Sequence, residues 1–228
     1  MPLALTIIVP TLNVADRLGA TLAALPAGLD VVVVDGGSTD GTVEIARCAG
    51  AVVERAPPGR GLQLARGAAR AAAPWLLFLH ADTVLEFGWR EAVRRFMADP
   101  ENLHRAACFR FALDDARPAA RRLEKLVAWR TRKLGLPYGD QGLLISRTLY
   151  DTLGGYRAIP IMEDVDLVRR IGRRRLMVLP IAARTSAARY RRDGYLCRSF
   201  RNLACLTLYF VGVPPALIAR LYEPRHRA

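Results

Sequence analysis

Three sets of carboxylates stand where an apolar run gives way to polar residues. Asp35 closes VVVVD and opens Gly36-Gly37-Ser38, Asp82 follows FLHA, and Glu163-Asp164 come shortly after Pro160, at the start of a segment of helical period. An acid just past a buried strand is the expected place for a hard cation such as Mn2+ or Mg2+ bridging two phosphates, because carboxylate oxygen matches such an ion. Asp82 is therefore the candidate metal ligand. His80, two residues earlier, is either a second ligand or a packed, hydrogen-bonded histidine. Asp35 could accept a hydrogen bond from a nucleobase, and a plain Asp-Gly turn would look the same. Glu163 and Asp164 would be kept ionised by the helix dipole, leaving Asp164 able to accept a proton. An acidic first turn with Asp166 paired to Arg170 is the alternative.

Two further clusters bear polar chemistry. PPGRGLQLARG carries Arg60, Gln63 and Arg66, and a guanidinium suits phosphate oxygens. Arg66 with Arg70 also reads as an i,i+4 pair on a solvated helix face. In GDQG, Asp140 and Gln141 offer a carboxylate and an amide among glycines, suited to contacting an acceptor molecule or simply to a polar turn.

The elements that must position these groups follow from periodicity. LALTIIVP, DVVVVD, AVVERA and WLLFLH are strand-length apolar runs, and they alternate with helical periods around 14–26, 41–49, 61–73 and 88–98. Asp40 is placed to N-cap the second of those helices, with Glu44 in its first turn. Strands apolar on both faces belong in a parallel sheet covered by helices, whose right-handed crossovers put every strand's C-terminal end on one edge, where ligands bind. Pro10-Thr11-Leu12-Asn13, Asp35 to Ser38 and His80-Ala81-Asp82 all fall on that edge. Beyond residue 104 the pattern loosens into a strand-like ACFRFAL, a basic helix near 117–134, the turn-rich GLPYGDQG, a helix from about Glu163 and a last one near Gly194.

Taken in order, IIVPTLN, VVDGGSTDGT, FLHADT and GGY followed by PIMEDVDLVRR resemble the motifs of the family-2 glycosyltransferases, over about residues 5 to 175. HADT with YGDQG is most similar to a compact bacterial subfamily described as arsenosugar-biosynthesis glycosyltransferase-like. The resemblance implies one GT-A unit over 1–228, an α/β fold with a Rossmann-like, mainly parallel sheet. It would comprise a nucleotide-binding half (1–103), an acceptor-binding and catalytic half (104–192) and a helical extension (193–228). It also implies an inverting transfer from a nucleotide-diphosphate sugar, UDP-sugar first, to a hydroxyl acceptor that is small or lipid-linked, with Mn2+ or Mg2+ as cofactor.

Carried over residue by residue, Pro10, Thr11 and Asp35 go to the nucleotide pocket, with Asn13, Gly37 and Ala81 beside them. Arg60 and Gln63 approach the nucleotide, Asp82 takes the metal and diphosphate, and Asp164 is the general base. Asp140, Gln141 and Glu163 are assigned to the acceptor. Two positions depart from the family pattern: its paired acids after the second strand are Asp35-Gly36 here, and the first acid of its metal motif is His80.

Composition narrows the alternatives. The net charge is +13, and all but two of the 34 basic residues are Arg. Residues 1–116 sum to −2 and 117–228 to +15, which suggests an anionic partner for the second half, although a genome biased towards Arg and Ala would look similar. With no known binding motif or aromatic-interleaved stripe, nucleic acid is not expected. Cys48, Cys108, Cys197 and Cys205 lack metal-type spacing, and the opening run reads as a strand rather than a signal, so a reduced, cytoplasmic protein is expected. Leu203 to Ala219 carries no charge but is short for a bilayer span and is broken by Pro214-Pro215. Flanked by Arg198, Arg201, Arg220, Arg225 and Arg227, it suits an interfacial helix on anionic lipid, a core-packing element or a homodimer contact. A nucleotidyltransferase would open with a Gly-rich basic loop where this chain has PTLNVADR. A non-catalytic sugar-nucleotide binder would not need both Asp82 and Asp164.

Overall fold

A computed structural model describes residues 3–222, so Arg225 and Arg227 lie outside the described residues. The first half is the expected alternation: β1 (Leu5–Thr11), α1 (Ala15–Ala23), β2 (Asp30–Asp35), α2 (Thr42–Cys48), β3 (Val52–Arg55), α3 (Arg60–Arg70) and β4 (Trp75–Phe78). β1 pairs in parallel with β2 and β4, and β2 with β3, with Thr11 opposite Asp35 at the shared edge. Alternate residues of these strands feed two cores. Ile7, Val9, Val33 and Leu77 pack under α1 and α2, and Ile8, Val32, Val34, Leu76 and Phe78 under α3. Fully burying one such side chain contributes about 1.5–3 kcal/mol, so both faces resist polar substitution.

The second half continues the same sheet with different pairing. β5 (Thr83–Leu85), α4 (Trp89–Ala98), β6 (Ala106–Leu113), α5 (Pro118–Leu134), β7 (Leu143–Ser146), α6 (Arg147–Thr152), α7 (Glu163–Ile171) and β8 (Leu176–Thr185) follow in sequence. The strand order is β3-β2-β1-β4-β7-β6-β8-β5, with β7 antiparallel to β4 and to β6, β5 antiparallel to β8, and β6 parallel to β8. The mainly parallel sheet is thus a property of the first four strands. The rest forms a mixed extension, and β5, β7 and β8 were not anticipated from periodicity.

Gly41, not Asp40, is the helix cap of α2. Asp40 stands one residue earlier and accepts from the N–H and hydroxyl of Thr42 and from the N–H of Ala15, so it ties α1 to α2. The C-terminal segment is three helices, α8 (Ala188–Asp193), α9 (Tyr195–Phe210) and α10 (Pro215–Tyr222). The uncharged run therefore folds as two helices broken before Pro215, and among the described residues no helix is long and apolar enough to cross a membrane. Cys205, Leu206 and Ile218 are buried against Leu136, Met162 and Val165, which seats the segment on the start of α7.

Candidate active site

The strand ends and the C-terminal helices enclose a cavity of about 480 Å³. Pro10, Thr11, Arg60, Gln63, His80, Ala81, Asp82, Asp140, Glu163 and Asp164 line it; Asn13, Asp35, Gly37 and Gln141 do not.

Asp35 is buried beneath the strand-end loop. Its Oδ2 accepts from the N–H groups of Gly37 and Ser38, 2.9 Å each, and its Oδ1 accepts from the hydroxyls of Ser38 and Thr11. Burial pushes its carboxyl upward, but the bonds from Ser38, Gly37 and Thr11 outweigh that and hold the pKa below the usual value. Asn13, with φ 50°, accepts at its side-chain oxygen from Thr39 N–H, which fastens the two loops together. Gln63 reaches from α3 and donates from Nε2 to the carbonyls of Thr11 (2.7 Å) and Val34 (2.8 Å). A Cβ on Gly36 would stand 3.1 Å from that same Nε2, so Gln63 fills the room a second acid would need. Asp35, Asn13 and Gln63 thus shape the floor of the site through the backbone.

Asp82 sits between β4 and β5. Its carbonyl accepts from Ser186 N–H at 3.1 Å and its Oδ1 from the Thr185 hydroxyl at 3.4 Å, leaving most of the carboxylate open to the cavity. Burial, then the charges of Arg60 and Arg189, pull the His80 pKa well below its ordinary value, so the imidazole is neutral, the form able to ligate a cation. Among the described residues no group of three or more His, Cys, Asp or Glu is arranged to hold a metal alone. One open carboxylate and one neutral imidazole would suit a divalent cation that takes further oxygen ligands from a bound molecule and water.

α7 begins after Met162, whose φ of 67° turns the chain so that Glu163 and Asp164 face the cavity. Asp164 accepts at Oδ2 from Gly139 N–H (2.8 Å) and at Oδ1 from Val165 N–H (2.7 Å). A Cβ on Gly139 would collide with His80 Nε2, so imidazole, Gly139 backbone and Asp164 form one contiguous layer. Glu163 is buried 3.5 Å from Arg60, and burial drives its carboxyl well above the ordinary range. Burial would lower the Arg60 pKa, but Glu163 first, then Tyr222, Asp164 and Asp82, raise it instead, so the guanidinium stays charged. Asp166 is bound to Arg157 and Arg170 and serves structure.

Asp140 and Gln141 part company. Gln141 is buried, accepting from the Thr131 hydroxyl and donating to the Phe109 carbonyl, each at 3.0 Å. Asp140 lines the cavity with a buried Oδ1 that has no partner among the described residues, and burial pushes its carboxyl up to about 6. Sequence reasoning missed the far wall: Arg189, Tyr190, Arg198, Asn202 and Tyr222, from α8 to α10. Arg198 is 4% exposed and donates to Asp193 (3.2 Å) and the Tyr222 hydroxyl (2.6 Å). The available signal was Arg198 and Asn202, polar residues one turn apart on a helix that also carries Leu196, Phe200 and Leu203.

A curled, helix-flanked α/β sheet with this strand order, its acids gathered at the strand ends and at the start of a late helix, has the architecture of the GT-A glycosyltransferases, and solved members share its shape. A mannosyltransferase of Pyrobaculum calidifontis, solved with GDP-Man and Mn2+, superposes with a TM-score of 0.67 at 22% identity, over 97% of this chain and 70% of that one. The glucosyl-3-phosphoglycerate synthase of Mycobacterium tuberculosis, solved with Mn2+, UDP and glucosyl-3-phosphoglycerate, gives 0.58 at 21%, over 92% and 80%. TarS of Staphylococcus aureus with UDP-GlcNAc gives 0.59 at 16%, over 98% and 71%. The glycosyl transferase family 2 model matches residues 6–158, and the chain belongs to that family. An uncharacterized glycosyltransferase of Mycobacterium tuberculosis is 40% identical over 86 residues, 37% of this chain, and the match spans 39% of that relative's length.

Proposed function

We propose that this glycosyltransferase moves a sugar from a nucleotide-diphosphate donor, with a uridine nucleotide first among those to test, to an acceptor hydroxyl with inversion. The observation that carries the reading is the convergence of Asp82, Arg60 and Asp164 on one cavity, with Asp164 anchored by Gly139 N–H. Asp164 accepts the acceptor's hydroxyl proton. That oxygen forms its bond to the anomeric carbon as the bond to the diphosphate oxygen breaks, and the electron pair leaves with the nucleoside diphosphate. Arg60 and Arg189 offer cationic partners to the departing diphosphate. A cation held by Asp82, and by His80, would neutralise charge on the same diphosphate. Asp140 would bind a sugar or acceptor hydroxyl, while Gln141 supports the turn from behind.

The test is titration calorimetry with UDP and GDP, with Mn2+, Mg2+ or EDTA. Tight binding should require the cation, weaken strongly in Asp82→Asn and less in His80→Ala. Absence of binding by any nucleoside diphosphate at any cation concentration overturns the donor assignment, and equal or reversed losses overturn the ligand order.

A further inference from the structure

α9 has two faces. Arg198 and Asn202 point into the catalytic cavity, whereas Leu196, Phe200, Leu203, Thr207 and Phe210 recur at spacings of four and three residues and are all exposed, Leu196 by 89% and Phe200 by 75%. Three-four spacing places them on one stripe of the helix. The stripe runs into a groove of about 610 Å³ in which Thr207, Phe210 and Val211 meet Leu134, Leu136, Val168 and Leu206. Contiguous exposed apolar surface of this kind marks an interaction site.

The rim of the groove is cationic. Arg169 and Arg173 line it, Arg132 and Lys133 precede Leu134 in the last turn of α5, and Arg174 and Arg175 continue the turn after α7. None of these six makes an ion pair among the described residues, and between Leu167 and Tyr222 the only acid is Asp193, already bonded to Arg192, Arg198 and Arg201. A second copy seated on this face would bring those uncompensated charges against their like. A nucleic acid would leave the stripe uncovered.

We propose that this face docks on an anionic phospholipid surface, with the α9 stripe entering the headgroup-acyl boundary and the arginines and Lys133 meeting lipid phosphates. An interfacial helix needs this pairing of apolar face and basic flank, and α9, at 16 residues, lies on the bilayer rather than through it. The inference does not depend on the donor reading, since lipid binding is measured without any nucleotide.

The experiment is vesicle flotation of the full chain with phosphatidylglycerol-phosphatidylcholine vesicles and with phosphatidylcholine alone, at low and high salt. Binding to the anionic vesicles, weakened by salt and absent from the neutral ones, is expected. Arg173→Glu/Arg174→Glu/Arg175→Glu should weaken it by at least roughly a hundredfold, since each basic residue near such a surface contributes about fivefold. Leu196→Ser/Phe200→Ser should weaken it by about tenfold. These positions are exposed, so melting temperature and nucleotide affinity should match wild type and certify folding. No binding to anionic vesicles at low salt overturns the proposal. So does loss in the charge variant alone, which would mark a general polyanion site. So does a dimer in light scattering that the Leu196→Ser/Phe200→Ser change dissolves, which would make the stripe an interface between copies.

Discussion

Asp164 and Glu163 are adjacent but differently placed: one has its oxygens on backbone N–H groups at the cavity wall, and the other is buried against Arg60. Asp164→Asn should therefore lower transfer by about 10² to 10⁴ with donor affinity nearly unchanged, because a base acts on the acceptor's proton in the transition state. Glu163→Gln should instead weaken donor binding by loosening Arg60. Steady-state transfer alongside calorimetry separates the two, and a dead Glu163→Gln beside an active Asp164→Asn would reverse the assignment. Asp140 gives a pH signature. Its carboxyl titrates at about 6 when folded against 3.8 when free, so between those values the folded state holds more protons than the unfolded one. Stability contributed by the protonated form is thus present at low pH and lost as pH rises through about 6, on the order of 3 kcal/mol. Melting curves from pH 4 to 7 should fall less steeply for Asp140→Asn; an unchanged slope would show the carboxyl is not buried as described.

At the scale of elements, the site depends on close approach between segments far apart in sequence. Gly139→Ala should push His80 and Asp164 apart, costing about 1–3 kcal/mol of stability and roughly 10² in transfer. His80→Ala in the same chain should recover the stability; melting of the double variant decides. β1, β2 and β4 were legible because they are apolar on both faces, and Asp82 and Asp164 because an acid after a strand or at a helix start is a local pattern. β8 was not, since Pro180 stands in the middle of LMVLPIAA and a proline argues against a strand, and only pairing with β6 and β5 makes it one. Neither was the inward aim of Asp35, whose bonds to Gly37, Ser38 and Thr11 depend on loop geometry that residue types do not specify.

At the scale of the molecule, the cavity takes lining from residue 10 to residue 222, and its far wall is held by Ile218 and its neighbours on Leu136, Met162 and Val165. Ile218→Asp should unseat α10, raising amide exchange across residues 195–222 and abolishing transfer while leaving nucleotide binding measurable. Unaltered exchange there would show the wall is held by other contacts. The same arrangement sets an order of events during synthesis. β1 to β4 pair only with one another until β7 arrives, so the strands carrying Thr11 and Asp35, with Asp82 just beyond, can assemble early, whereas Tyr222 leaves the ribosome 144 residues after Phe78. At about 5–20 residues per second that interval lasts roughly 7 to 29 s. Once Leu136, Met162 and Val165 have been made, they remain bare until α9 and α10 arrive. The growing chain therefore passes through a stage with a formed sheet edge and an uncovered apolar patch, the stage at which a chaperone would engage it.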